Sequence, residues 1–224
     1  MKFQDIFASS DTLGSLGNKF RSKRVADFRE KLNKLEKPLH ILDVGGLESF
    51  WINSGFAGDP DYKITILNLT ATPTHYSNLT SMTGDATNMV TIPDKRYDIV
   101  FSNSVIEHVY TRENQAKMAN EIMRVGKYFY VQTPNKHFFI EPHYILPFFQ
   151  YLPDSLKYFI LTKTGLSRGK RWDAAEARQY INEIRLLTLR EMKLLFPGAE
   201  VYIEFFLGMN KSFTVHNFDK KMEN

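Results

Sequence analysis

The chain has 224 residues, 43% of them apolar, and a formal net charge of +4 from 29 Lys and Arg against 25 Asp and Glu. That is enough apolar material for one hydrophobic core, so a single domain is expected over residues 1–224. The absence of cysteine excludes disulfides, thiolate metal sites and cysteine nucleophiles, including the one that cytosine C5 methylation requires.

The first residues, MKFQDIFASSDTLGS, lack the apolar segment of a signal peptide, and no apolar stretch reaches the roughly 20 residues of a membrane-spanning helix, so a cytoplasmic protein is expected. Basic charge concentrates in residues 19–37, where eight Lys and Arg face Asp27, Glu30 and Glu36, a local balance of +5. Val25, Phe28, Leu32 and Leu35 recur there at helical spacing, which predicts an amphipathic helix over about 18–37 with a basic outer face. Such a face is either simply solvated or meets an anionic acceptor, a nucleic acid or a membrane surface.

Next comes LHILDVGGLES at 39–49. Its apolar run is too short for a helix and lies between Pro38 and the Gly45-Gly46 pair, which predicts a buried parallel strand. Glycines at its end allow a tight turn and a close approach of backbone to ligand. Further strands are predicted at 63–69, 79–82, 97–102 and 127–133, and apolar residues at mixed three and four spacing predict one helix over 104–125. Strand and helix in alternation imply a parallel sheet covered on both faces.

Residues 134–175 form an aromatic-rich insertion, with Phe138, Phe139, Tyr144, Phe148, Phe149, Tyr151, Tyr158 and Phe159 punctuated by Pro142, Pro147 and Pro153. It reads as a lid over an apolar pocket or as an ordinary packed subdomain. Its prolines and Glu141 exclude a membrane span, while peripheral contact with a lipid-linked substrate stays open. Thr188 and Glu191 have the spacing of a capping box that opens a helix ending at Pro197-Gly198. The strands expected at 200–206 and 211–216 are joined by so short a turn that they must pair antiparallel.

This layout resembles the class I S-adenosylmethionine-dependent methyltransferases, in their bacterial small-molecule branch. The resemblance rests on ILDVGG at 41–46, GDAT at 84–87, YDIVFSNSVIEHV at 97–109 and TPNKHFFIEPHYILPFFQYLP at 133–153. It implies an α/β fold with a doubly wound, Rossmann-like, seven-stranded sheet, mostly parallel and closed by an antiparallel C-terminal hairpin. It also implies S-adenosylmethionine as cofactor, lined by Asp43, Gly45, Gly46, Asn68, Asp85, Ala86 and Asn103. Glu107 and His108, just past the fourth strand, or His143, past the fifth, are expected to face the acceptor, because open α/β sheets bind ligands beyond the carboxyl ends of their strands. Three positions depart from the family pattern. Leu47 and Ser49 stand where the later glycines of the first motif would fall, and Asn68 stands where an acid would bind the ribose hydroxyls. An amide oxygen accepts such bonds without the extra strength of a carboxylate.

Methyl transfer from a sulfonium is an in-line displacement that needs alignment and exclusion of water, and a base only if the acceptor loses a proton. A histidine suits that role near neutral pH, although an acid such as Glu107 is also favoured at a helix start irrespective of chemistry. His137, Glu141 and His143 lie close in sequence, but Pro142 breaks any shared helical face and the spacing fits no standard metal triad, so no metal is expected. His40, His75 and His216 are expected to be structural.

The expected acceptor is a small molecule or a glycan, free or lipid-linked. A nicotinamide oxidoreductase is disfavoured because Gly-x-Gly-x-x-Gly and a Tyr followed four residues later by Lys are both absent. Nucleic-acid methylation is disfavoured because Asn103-Ser104-Val105-Ile106 is not the Asn/Asp-Pro-Pro-aromatic loop of base amino-methylases and no recognition module is appended. A relative that binds the cofactor without turnover is the remaining alternative. Oligomeric state is not specified by the sequence.

Overall fold

The computed structural model describes residues 16–219. Strands β1 (Leu39–Val44), β2 (Tyr62–Asn68), β3 (Leu79–Thr83), β4 (Tyr97–Asn103) and β5 (Gly126–Pro134) pair in parallel, and β8 (Glu200–Phe206) and β9 (Met209–His216) complete a seven-stranded sheet in the order β3-β2-β1-β4-β5-β9-β8. Only β9 runs against its neighbours, pairing antiparallel with both β5 and β8. The winding reverses between β1 and β4, and the crevice beyond their carboxyl ends is where open α/β sheets take ligands.

Alternation along the strands splits the core into two layers. Ile41, Ile99, Phe101 and Tyr130 face α1 (Leu16–Leu32) and α2 (Glu48–Asn53), packing against Phe28, Leu32, Trp51 and Phe56. On the other face Leu42, Val44, Val100 and Val131 meet Met118, Ile122 and Val125 of α3 (Arg112–Val125) and Met192 of α6 (Leu189–Leu195). Thr188 and Glu191 form the expected capping box at the start of α6.

Two predicted helices are corrected. The basic N-terminal helix ends at Leu32 and not at 37, because the chain passes into turns in which Lys34 and Leu35 bond only three residues back, ahead of a proline that has no N–H to continue a helix. The single helix over 104–125 is broken: Ser104 and Tyr110 both adopt positive φ, Ile106–His108 form one 3-10 turn, and α3 begins at Arg112 under a Thr111 cap. Glu107 and His108 therefore do not occupy the first turn of an α-helix.

The insertion has its own small core of Tyr144, Phe149, Leu161, Trp172 and Ala177. It comprises the hairpin β6 (Ile140–Glu141) and β7 (Leu146–Pro147), then α4 (Asp154–Lys163) and α5 (Ala174–Glu183). It is thus a packed subdomain that extends past residue 175. Among the described residues no helix is long and apolar enough to cross a membrane.

Candidate functional site

The crevice opens where β1 stops. Gly45 leaves the strand at φ +78 with its N–H bonded to the Leu67 carbonyl at 2.8 Å, and the turn folds so tightly onto Asp43 that a Cβ on Gly46 would lie 1.6 Å from its Oδ2. Asp43 is buried beneath this turn, on the aromatic face of the sheet, and its Oδ2 accepts a 2.7 Å bond from Trp51 Nε1. Its Oδ1 has no hydrogen-bond partner. Burial pushes the Asp43 carboxyl up to about 7, against the smaller opposing effect of Trp51. Asn68, at the end of β2, donates its Nδ2 to the Gly46 carbonyl at 2.8 Å, leaving its side-chain oxygen as an acceptor.

Above the turn lies a cavity of about 550 Å³ lined by Gly45, Asn68, Leu69, Asp85, Ala86, Val105 and His108, with Gln179 and Glu183 reaching in from α5. Asp85 accepts from the backbone and hydroxyl of Thr87, both at 2.8 Å through Oδ1. The volume suits a cofactor-sized ligand. The apolar surfaces of Leu69, Ala86 and Val105 beside the oxygens of Asn68 and Asp85 fit an adenosine, which offers a flat apolar base and two hydroxyl donors.

A second cavity, of about 400 Å³, shares Ser104 with the first. Among the described residues its wall carries Arg21, Arg24, Arg168 and Lys211 and no carboxylate, together with Phe20, Phe138, Ile140, Ile145 and Phe206. Beneath it the buried Glu204 accepts from Arg24 at 2.9 and 3.2 Å, from Lys211 at 3.3 Å and from the Ser212 hydroxyl. Burial alone would raise the Glu204 pKa, but Arg24 and Lys211 hold it below the usual carboxylate range. Asn103 belongs to this second cavity, where its side-chain oxygen accepts from Arg24.

Between sheet and insertion the three expected acceptor-facing residues meet: one ligand atom from each of Glu107, His108 and His143 lies within 4.8 Å of the others. His108 and His143 approach Nε2 to Nε2 at 3.1 Å. Each Nδ1 contacts a carboxylate, His108 on Glu183 at 2.8 Å and His143 on Glu141 at 2.7 Å. Glu107 is fully buried; its Oε2 accepts from the Thr133 hydroxyl at 3.0 Å and its Oε1 has no partner. Burial raises the Glu107 pKa despite both imidazoles nearby. Burial works to lower that of His143, but the bond to Glu141 and the charges of Glu141 and Glu107 outweigh it and the pKa is raised.

Of the cofactor-side residues, Gly45, Asn68, Asp85 and Ala86 line the larger cavity, Asp43 and Gly46 lie under its turn, and Asn103 faces the smaller one. His137 bonds to Tyr151 at 2.8 Å and does not join Glu141 and His143. The histidines expected to be structural divide. His216 is buried against Tyr130 and its pKa is pushed down to about 4, burial being the main cause, whereas His75 is exposed on Glu48. Arg24, Lys211, Glu183 and Thr133 were not expected at the site. Arg24 had one legible signal: with Phe28 and Leu32 it continues the buried stripe of α1 at four-residue intervals, so it points inward and not onto a solvated face.

A parallel sheet of this order with an antiparallel C-terminal pair and a glycine turn at its switch point is the fold of the class I S-adenosylmethionine-dependent methyltransferases. The central segment of the chain points the same way. Residues 60–128, from just before β2 into β5, match the profile of a family described as a methyltransferase domain. The structure is similar to that of a SAM-dependent methyltransferase from Archaeoglobus fulgidus, at 13% identity over 88% of this chain and 93% of that one with TM-score 0.51. It is also similar to the CurJ carbon methyltransferase, at 10% identity over 88% of this chain and 53% of that one with TM-score 0.54. Two uncharacterized proteins of Mycobacterium tuberculosis strains are 33% identical over 58 residues, 26% of this chain. The match spans about a fifth of the length of these curated relatives, 20%.

Proposed function

We propose that the protein transfers a methyl group from S-adenosylmethionine to an anionic acceptor with an apolar body. The observation that carries this is the pair of cavities meeting at Ser104, one with the chemistry of an adenosine site and the other cationic and apolar. Asn68 and Asp85 would take the ribose and adenine polar groups, and Leu69, Ala86 and Val105 the face of the base. Bound there, S-adenosylmethionine supplies a methyl group already activated on a sulfonium.

The rest is alignment by the chain's own residues. Arg24, Arg168 and Lys211, set against the single carboxylate of Glu204, give the second cavity an excess of positive charge that attracts and orients an acid or phosphate group. Phe20, Phe138 and Phe206 take the acceptor's apolar part, and the insertion helps to exclude water. The Glu107, His108 and His143 cluster is where an acceptor proton would be handled as the new bond to the methyl carbon forms.

Calorimetric titration with S-adenosylmethionine and S-adenosylhomocysteine tests the cofactor half of the proposal, with a nicotinamide dinucleotide as control. Selective binding of the first two is expected, at about micromolar affinity. Equal indifference to all three would overturn it. Asn68→Ala should weaken binding roughly tenfold, because it removes both the oxygen offered to the ribose and the bond that fixes the Gly46 carbonyl.

A further inference from the structure

We propose that Glu107, His108 and His143 hold a divalent first-row transition-metal ion such as Zn²⁺ or Mn²⁺. Two imidazoles meet at this site. Each Nδ1 lies within 2.8 Å of a carboxylate oxygen, which can only accept, so each Nδ1 carries a proton. In two neutral rings both Nε2 atoms then present lone pairs, and these atoms are 3.1 Å apart. Facing lone pairs at that distance repel unless a cation, either a proton or a metal ion, lies between them.

Glu107 favours the metal. A proton shared by the two rings would satisfy both nitrogens and still leave Oε1 of this fully buried side chain without any partner. A metal ion engages all three residues. The spacing of the nitrogens agrees: two nitrogens each 2.0–2.1 Å from a metal and 3.1 Å from each other subtend about 98°, between the octahedral and tetrahedral angles, and Glu107 has a ligand oxygen within 4.8 Å of both. The carboxylates behind the rings complete the pattern in which a ligating histidine donates its other N–H to an acid, and Glu141 is itself fixed by a 2.9 Å bond from the Tyr144 N–H. Two imidazoles and one carboxylate suit zinc, manganese or iron, whereas magnesium and calcium prefer oxygen ligands.

Three protein ligands leave at least one coordination position open. His108 lies on the wall of the larger cavity, so an acceptor held in the smaller one would have to reach past Ser104, which lines both, for its oxygen to complete the coordination and lose its proton more easily. That last step alone rests on the methyl-transfer reading; the metal site does not.

The test uses the full chain, freed of metal with a chelator and titrated with Zn²⁺, Co²⁺ and Mg²⁺ by calorimetry, without cofactor, with the visible absorption of Co²⁺ followed in parallel. One equivalent of Zn²⁺ or Co²⁺ and no Mg²⁺ is expected. His108→Ala and His143→Ala should each weaken binding by more than about tenfold. Asp219→Asn, at the other three-ligand group among the described residues, should leave it unchanged. Failure of the wild-type chain to bind Zn²⁺ and Co²⁺ at micromolar concentration, or equal binding in both histidine variants, would overturn the site. The wild-type titration needs no variant to fold, and the separate cofactor titration fails or succeeds independently of it.

Discussion

Two buried carboxylates stand beside the same pair of cavities, yet they are solvated by the protein in opposite ways. Glu204, on β8, is enclosed by Arg24, Lys211 and Ser212, and both its oxygens have partners. Glu107, after β4, has a single hydroxyl on one oxygen and nothing on the other. The first carboxylate is held below its ordinary pKa and the second above it. Their effects on stability therefore run in opposite directions. Glu204 contributes stability above its unfolded pKa that is lost as pH falls through its folded value; Glu107 favours the fold at low pH and loses that contribution as pH rises through its folded value. Glu204 is completed by its own chain, whereas Glu107 leaves one oxygen open.

The largest expected effect is at Glu204. Arg24→Ala removes the guanidinium that grips both its oxygens and the Asn103 amide. Breaking a buried pair leaves an uncompensated charge, and the loss should be about 3 kcal/mol, at the low end for such sites because Lys211 remains. The urea midpoint at pH 7 measures it, and the deficit should shrink as acid protonates Glu204. A loss near zero would mean that water, and not Arg24, solvates this carboxylate.

How much of this was legible before folding follows from what each part is made of. The glycine turn, the parallel strands and the Asn68 position are local backbone features, and ILDVGG or KITILNL carries them in a few consecutive residues. Glu107, His108 and His143 were candidates because each follows a strand end. Their convergence was not legible, because it depends on the insertion packing back against the sheet, and so a metal was not expected. Glu183, which orients His108 from 75 residues away, and Arg24, 180 residues from Glu204, form pairs that only the tertiary fold creates. The 104–125 helix was misread because apolar spacing is blind to the positive φ at Ser104 and Tyr110.

Asp43 offers a second, sharper case of the incomplete kind, since its Oδ1 is as unpartnered as Oε1 of Glu107. Its carboxyl is raised from 3.8 to about 7, so wild-type stability should fall as pH rises between these values and level off above them. Asp43→Asn keeps an oxygen for Trp51 and removes the charge. The variant should match the wild type near pH 4 and exceed it by about 4 kcal/mol at pH 8, as compared by urea midpoints. A wild type that is the more stable at pH 8 would show that the ionised carboxylate is already satisfied.

The smallest effect should come from Thr133→Val, which removes the hydroxyl on Glu107 while keeping the shape of the side chain. In metal-free protein the loss should be about 1 kcal/mol, the ordinary value of one hydrogen bond. It should grow with pH, because the hydroxyl donates to the charged form of Glu107 and its removal raises the pKa further. The second readout is zinc affinity. Thr133 fixes the carboxylate through Oε2, so its loss should weaken Zn²⁺ binding by roughly tenfold even though no ligand has changed. A Thr133 that merely fills space would cost stability and leave zinc affinity where it was, and Glu107 would then be incomplete for a reason other than a cation.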